Sequence, residues 1–129
     1  MGATGSRIYQ AFARIGTALI KWPVPVLVEG VGSVACVPDL LERAGVSSVL
    51  VVTSAGLYRR GLLDGLIKAL DEAGIEHAVF SDVMPNPTIP CVEAGVARYR
   101  AAGCAGLVAF GGGSVMDCAK GIGARMVRP

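Results

Sequence analysis

The chain has 129 residues, 53% of them hydrophobic, and its mean hydropathy of +0.57 is compatible either with a membrane segment or with strands buried on both faces of a parallel sheet. A spanning helix needs about 20 apolar residues, and two charges and two prolines interrupt the best candidate, residues 8–28, so that neither a membrane helix nor a signal peptide is expected. A net charge of +2, scattered basic residues and 5% aromatic content exclude a nucleic-acid-binding surface.

The predicted elements begin with a leading amphipathic segment, a first strand at 25–29 and a helix from about Ser33 to Ala44. Three further apolar runs predict strands at 49–52, 78–80 and 107–110. Each run follows an Ala-Gly pair, and glycine is the residue that most often closes a helix in the left-handed conformation. The pairs recur every 29 residues, which is about the size of a strand-helix-strand unit, at Ala44-Gly45, Ala73-Gly74 and Ala102-Gly103.

Between these strands, apolar residues recur at helical spacing. One apolar stripe precedes the second Ala-Gly pair, and a weaker one, with Pro90 in its first turn, precedes the third. A last helix is expected from Gly111 to Arg125. The order β-α-β-α-β-α-β-α predicts a Rossmann-like, doubly wound α/β fold with a mostly parallel sheet. The stripes consist of Leu62, Leu63, Leu66, Ile67 and Leu70, and of Val92, Val96 and Tyr99.

The glycine-rich stretch at 111–120 follows the last predicted strand and starts the last helix. A helix N-terminus offers unpaired N–H groups and partial positive charge, and glycines let a ligand approach the backbone closely. These features predict a phosphate-binding loop. Ser114 and Asp117 also fit the S-x-x-D pattern of a capping box, so plain helix capping remains an alternative.

A second glycine pattern lies upstream, where Gly30-x-Gly32-x-x-Ala35 matches the dinucleotide-binding fingerprint. That fingerprint requires an acidic residue at the end of the next strand to hold the ribose hydroxyls. The strand ends instead at Thr53-Ser54. We therefore rank this segment below the downstream one as the candidate nucleotide site.

Two other features are open to structural explanations. The segment Pro85-Asn86-Pro87-Thr88 follows a predicted strand and holds Asn86 stiffly, yet a turn with Thr88 as helix N-cap explains it equally well. His77 is the single histidine, so we predict no histidine-rich metal site and no catalytic triad in this chain.

The four cysteines form no C-x-x-C pair. This spacing argues against a zinc knuckle or a disulfide framework and favours a reducing, cytoplasmic compartment. Cysteines scattered in this way are expected to be small core residues.

Taken together, Gly111-Gly112-Gly113-Ser114-x-x-Asp117-x-Ala119-Lys120, Pro85-Asn86-Pro87-Thr88 and Val51-Val52-Thr53-Ser54 resemble the N-terminal region of iron-containing alcohol dehydrogenases. The resemblance extends from about Ile8 to Arg125. The related glycerol dehydrogenases and dehydroquinate synthases usually carry lysine at the position of Ser114, which makes them a less favoured alternative.

The resemblance implies an N-terminal α/β domain for NAD or NADP and a C-terminal helical domain that holds Fe²⁺ or Zn²⁺ through one aspartate and three histidines. It implies that Gly112, Gly113 and Ser114 hold the cofactor pyrophosphate and that Asn86 lines the nicotinamide cleft. Asp117, which belongs to the same glycine motif, is also expected to be a cofactor-binding residue. Ser54 stands where many members carry an aspartate that disfavours NADP, so NADP is expected to be tolerated.

The metal ligands of the family have no counterpart in residues 1–129, and we expect this chain to be an incomplete N-terminal cofactor-binding domain, inactive alone. The resemblance implies hydride transfer between a small alcohol or aldehyde and NAD(P), in a full-length homo-oligomer, such as a dimer, with no nucleic-acid or membrane partner. A nucleotide-binding module without catalysis of its own is the alternative from another class of protein.

Overall fold

The computed structural model describes residues 25–128, which contain one parallel sheet of three strands. The strands are β1 (Ser48–Val52), β2 (Glu76–Phe80) and β3 (Gly106–Ala109), in the order β2-β1-β3. Val49 lies opposite His77 on one side and Gly106 on the other. The central strand is fully buried from Val49 to Val52, as expected for a parallel strand covered on both faces, and this explains its unbroken apolar run.

Helices cover both faces of the sheet. Residues alternate between the faces along a strand, so Leu50 and Val52 pack with the two longest helices, while Val49 and Val51 pack against the opposite layer. The predicted doubly wound α/β arrangement is therefore confirmed. After a single 3₁₀ turn at Ser33–Cys36, the helices are α1 (Val37–Arg43), α2 (Ala55–Arg59), α3 (Asp64–Glu72), α4 (Ile89–Ala101) and α5 (Gly113–Val127).

The repeated Ala-Gly pairs end α1, α3 and α4 as predicted. Gly45, Gly74 and Gly103 have φ values of 70°, 69° and 63°, the left-handed region that glycine enters without steric cost. The residue after each glycine donates its N–H to a carbonyl five residues earlier, at 2.9, 2.9 and 3.1 Å. Each helix thus ends in a Schellman motif, which turns the chain into the following strand.

The predicted first strand at 25–29 is wrong. The segment has no regular secondary structure, and Val26 and Leu27 are 80% and 79% exposed. A strand exists only where a neighbour satisfies its backbone groups, and no described strand pairs with these residues. The described sheet accordingly has three strands rather than four.

Two helix boundaries also differ from the prediction. The short helix α2 was not predicted, and α3 begins at Asp64, which leaves Leu62 half exposed outside it. The rest of the stripe packs as expected, with Leu63, Leu66 and Leu70 almost wholly buried. None of the helices within residues 25–128 is long and apolar enough to cross a membrane.

Candidate functional site

The candidate site is a cleft of about 220 Å³ at the carboxyl edge of the sheet. The chain runs from β1 to β2 on one side and then crosses to β3 on the other, so the connections that leave β1 and β3 diverge to opposite faces. Ligands of open α/β sheets bind at such a switch point. The cleft is lined by Ser54 after β1, by Val83, Met84 and Pro85 after β2, and by Gly112, Gly113, Ser114 and Val115 after β3.

The floor of the cleft is fixed by Thr53, which is fully buried. Its hydroxyl donates to the Phe110 carbonyl at 2.8 Å, and its N–H donates to the Phe80 carbonyl at 2.9 Å. Phe110 in turn donates its N–H to the Val52 carbonyl at 2.9 Å. Thr53 thus joins the ends of all three strands. The sequence does not reveal this role, because Thr53 and Ser54 are two adjacent hydroxyl residues after the apolar run and only a buried one must find a hydrogen-bond partner in the protein.

The three glycines after β3 differ in what they face. Gly111 has a φ of 155°, and a Cβ there would lie 2.7 Å from Val115 Cγ2 and 3.2 Å from Leu57 Cδ1. Packing and backbone conformation therefore explain Gly111. A Cβ on Gly112 or Gly113 would meet no atom within 4 Å. These two glycines leave bare backbone facing open space in the cleft, a cradle that a side chain would fill.

Helix α5 starts in this cleft, with Gly112 as its N-cap residue. The N–H groups of Val115 and Met116 both donate to the Gly112 carbonyl at 3.1 Å. The N–H groups of Gly113 and Ser114 precede the first helical hydrogen bond and have no intrahelical acceptor. They are therefore the donors that an anion in the cleft would meet.

The capping-box alternative for Ser114 and Asp117 is wrong, because Ser114 lies inside the first turn of α5 rather than at its N-cap. Its hydroxyl instead accepts the Asn86 N–H at 3.3 Å. This bond ties the loop after β2 to the start of α5. Asp117 is exposed and does not line the cleft.

Asn86 is exposed and adopts a left-handed backbone conformation with φ of 52°. Asparagine is among the few non-glycine residues that enter this region readily. Thr88 occupies the N-cap position of α4 as predicted, but its side chain makes no capping hydrogen bond. The loop between the two prolines is thus held by backbone conformation and by the contact between Asn86 and Ser114.

Ser54 is half buried and occupies the N-cap position of α2, again without a side-chain capping bond. It forms an isolated antiparallel bridge with Asp82, beyond the ends of β1 and β2. Of the predicted site residues, the structure thus brings Ser54, Gly112, Gly113 and Ser114 into one cleft, places Asn86 in contact with Ser114, and leaves Asp117 outside.

The upstream glycine pattern lacks the context of a nucleotide fingerprint. Gly30 and Gly32 have φ values of 123° and 81°, and Gly32 leads into the 3₁₀ turn. The preceding segment 25–29 is not a strand. The glycines lead into a 3₁₀ turn of four residues, whereas the downstream glycines lead directly into the long helix α5. The cleft at the carboxyl edge is therefore the stronger candidate.

A larger cavity of about 490 Å³ lies at the opposite, amino-terminal edge of the sheet. It includes His77, whose Nδ1 lies 3.6 Å from the Asp71 carboxylate, and it also borders Ser48 and Cys104. Its lining within the described chain contains a single glycine, Gly74, and no residue that starts a helix. Since open α/β sheets bind ligands at the carboxyl edge, its larger volume does not outweigh the position of the smaller cleft.

The prediction of small core residues is confirmed for two of the four cysteines, Cys91 in α4 and Cys118 in α5, and is wrong for Cys36. Cys91 and Cys118 are buried with their sulfur atoms 4.0 Å apart, whereas Cys36 is exposed. Burial, with a further contribution from Cys91, raises the pKa of the Cys118 thiol to about 11. This thiol stays protonated at neutral pH and is not a nucleophile for catalysis.

The described residues do not provide a metal site. No group of three or more His, Cys, Asp or Glu side chains within 25–128 is placed to hold a metal ion. Residues 1–24 and Pro129 contain none of these residue types at all. The residues of this chain therefore do not fit the iron or zinc that the resemblance implies.

A three-stranded parallel sheet with helices on both faces and a glycine cradle at its switch point defines a Rossmann-like α/β domain. The chain belongs to the iron-containing alcohol dehydrogenase family, which it matches over residues 25–128. It is 44% identical over 98 residues to choline dehydrogenase of Bacillus subtilis (strain 168), which corresponds to 76% of this chain and 24% of that protein.

Solved structures agree with this assignment. The crystal structure of 1,3-propanediol oxidoreductase matches with a TM-score of 0.75 and 38% identity, over 78% of this chain and 26% of that one. Sulfoacetaldehyde reductase from Bifidobacterium kashiwanohense, solved in complex with NAD⁺, matches with a TM-score of 0.68 and 34% identity, over 79% of this chain and 27% of that one. The chain spans about a quarter of the length of these relatives.

Proposed function

We propose that this chain is the nicotinamide-dinucleotide-binding domain of a metal-dependent alcohol dehydrogenase. The observation that carries the proposal is the bare backbone of Gly112 and Gly113, which faces the cleft at the switch point of the sheet and at the start of α5. Neither glycine is required by packing, and unlike other glycines with open space around them, such as Gly65, both line the cleft, where a ligand would benefit from close approach to the backbone.

In this proposal the N–H groups of Gly113 and Ser114 donate to the cofactor pyrophosphate, whose negative charge the N-terminus of α5 stabilises. Ser54, across the cleft, lies at the adenosine ribose. Asn86, which is tied to Ser114, lines the nicotinamide end. Asp117 is exposed on the first turn of α5, and its part in the cofactor site stays a prediction.

The bound cofactor would exchange a hydride with the carbinol carbon of a small alcohol or the carbonyl carbon of an aldehyde. The described residues would bind and orient that cofactor; no step of the chemistry is assigned to them. Membership of the family and the NAD⁺ complex of a related reductase support this division of roles. The metal, Fe²⁺ or Zn²⁺, is proposed for the full-length protein and not for these residues.

The test is a Gly113→Val variant of the full-length protein, with NAD⁺ and NADP⁺ affinities measured by isothermal titration calorimetry. A branched side chain in the cradle should displace the pyrophosphate and weaken binding at least about a hundredfold, since it removes charge-assisted hydrogen bonds each worth about 1.5–3 kcal/mol. The bound metal content should not change.

Gly65→Val is the matched control. Gly65 is the second residue of α3, where a Cβ also meets no atom within 4 Å. Both variants add the same side chain to the first turn of a helix, so both carry a similar cost in helix propensity. Unchanged affinity in a folded Gly113→Val protein would disprove the assignment and return attention to Gly30 and Gly32.

A further inference from the structure

The bridge between Ser54 and Asp82 brings the backbone of an acidic residue next to the lining of the proposed cofactor cleft. The two residues lie directly opposite each other in an antiparallel pair, just past the ends of β1 and β2. Side chains at such positions project from the same face, with their Cβ atoms about 4.5–5.5 Å apart. Ser54 and Val83 line the cleft, whereas Asp82 itself does not; its exposed side chain therefore lies just outside the lining, on the side of Ser54.

The backbone of Asp82 is anchored while its carboxylate is free. Its carbonyl accepts the buried Cys91 thiol at 3.7 Å, and the next residue, Val83, is buried in the core. The side chain is exposed and forms no hydrogen bond or ion pair with any residue from 25 to 128. A fixed backbone with an unpaired carboxylate is suited to accept hydrogen bonds from a ligand.

The cationic residues closest in sequence to Ser54 are on α2 and just after it. Arg59 donates its Nε–H to the Ala55 carbonyl of its own helix at 3.3 Å, and Arg60 is exposed. Neither forms an ion pair with Asp82. The negative charge at this corner of the cleft is therefore not neutralised by a described neighbour.

We propose that Asp82 is the residue that selects NAD over NADP. The proposal rests on the proposed function. Carboxylates at the end of a Rossmann strand accept hydrogen bonds from the ribose hydroxyls of NAD, and the same charge repels the 2′-phosphate of NADP. Asp82 supplies this carboxylate from the neighbouring strand. The NADP tolerance expected from Ser54 alone is therefore replaced by a preference for NAD.

The test compares NAD⁺ and NADP⁺ dissociation constants for the full-length wild-type protein and Asp82→Asn. The wild type should favour NAD⁺ at least about tenfold. The repulsion between like charges a few ångströms apart in a partly dry cleft is large enough to lower the affinity for NADP⁺ by that factor. Asp82→Asn should strengthen NADP⁺ binding about tenfold and weaken NAD⁺ binding a few-fold. Asp82→Glu, which keeps the charge, should still exclude NADP⁺.

Glu76→Gln is the control, because Glu76 is an exposed carboxylate at the opposite end of the same strand. It should leave both dissociation constants unchanged. If both cofactors bind and Asp82→Asn leaves the ratio of their dissociation constants unaltered, this inference is overturned, but the proposed cofactor site is not. If neither cofactor binds the wild type, the proposed function itself fails, and the inference fails with it.

Discussion

At the scale of single residues, the neighbouring positions Thr53 and Ser54 have different roles. Thr53 is buried, and both its hydroxyl and its N–H donate hydrogen bonds, to the chain just after β3 and to the end of β2. Ser54 lies in the cleft, and its side chain makes no capping hydrogen bond. The sequence shows two adjacent hydroxyl residues and does not distinguish them. The difference arises just past the end of β1, where Thr53 is still bonded to the chain beyond β3 and to the end of β2, whereas Ser54 already begins α2.

Replacing Thr53 by valine tests the role of its hydroxyl. The two side chains have similar shape, so the variant removes the donor to the Phe110 carbonyl and changes little else. Loss of a buried hydrogen bond should lower the free energy of unfolding by about 1–3 kcal/mol. The loop that begins at Gly111 should also become less fixed, with weaker NAD⁺ binding as a result.

Urea unfolding and calorimetry with NAD⁺ measure the two effects of Thr53→Val. Thr88→Val is the matched control, since Thr88 is exposed and its side chain caps nothing. A Thr53→Val protein as stable as the control would show that the hydrogen bond at the floor of the cleft contributes nothing to stability.

At the scale of elements, the sequence correctly predicts the strands that are defined by burial, and it wrongly predicts a strand where no pairing partner is found. The run 49–52 was recognised because a strand covered on both faces must be apolar throughout. Residues 25–29 have a similar composition but no strand to pair with within the described chain. Pairing is a long-range property, and composition does not encode it.

The contact between α4 and α5 depends on Gly95. A Cβ at this position would collide with the Ile122 side chain and would lie 3.3 Å from the Phe80 ring. Ile122 and Phe80 are both buried and cannot move freely. A glycine inside a helix costs up to about 1 kcal/mol relative to alanine; here that cost is offset by the close approach of two helices over the sheet.

Gly95→Val should therefore destabilise the protein although it improves helix propensity. Overpacking of a buried site costs about 1–3 kcal/mol, which exceeds the few tenths of a kcal/mol that valine gains over glycine in a helix. Thermal and urea unfolding would measure the loss. Ala94→Val, on the exposed side of the same helix, should cost only the difference in helix propensity, about 0.5–0.7 kcal/mol.

A second substitution, Ile122→Ala, tests the cause of that loss. It opens space beside Gly95, so the two changes together should cost less than the sum of the separate costs. Additive costs in the double variant would mean that the collision with Ile122 is not the reason for the glycine.

At the scale of the whole molecule, the site joins segments that are far apart in the sequence. Ser54, Asn86 and the glycine loop meet because the carboxyl ends of parallel strands lie at one edge of the sheet. That rule made their proximity predictable. The Ser54–Asp82 pair was not predictable, because it depends on the course of two chain segments after their strands have ended.

The final prediction concerns what the 129 residues do by themselves. Lewis-acid catalysis of alcohol oxidation requires a bound metal that polarises the substrate oxygen. The sequence has one histidine, His77, and it lies in β2 at the amino edge, beside Asp71 and away from the cleft. The purified chain should therefore bind NAD⁺ through the cradle at Gly112 and Gly113 yet take up no stoichiometric iron or zinc.

The purified chain should also oxidise no primary alcohol above background. Metal analysis after dialysis against Fe²⁺ or Zn²⁺ and NADH formation with short primary alcohols would measure these properties, with a full-length relative as the positive control. His77→Gln should change neither result, because a single imidazole at the wrong edge cannot form the site. Tight metal binding or turnover by the chain alone would contradict the separation of cofactor binding from metal binding on which the proposed function depends.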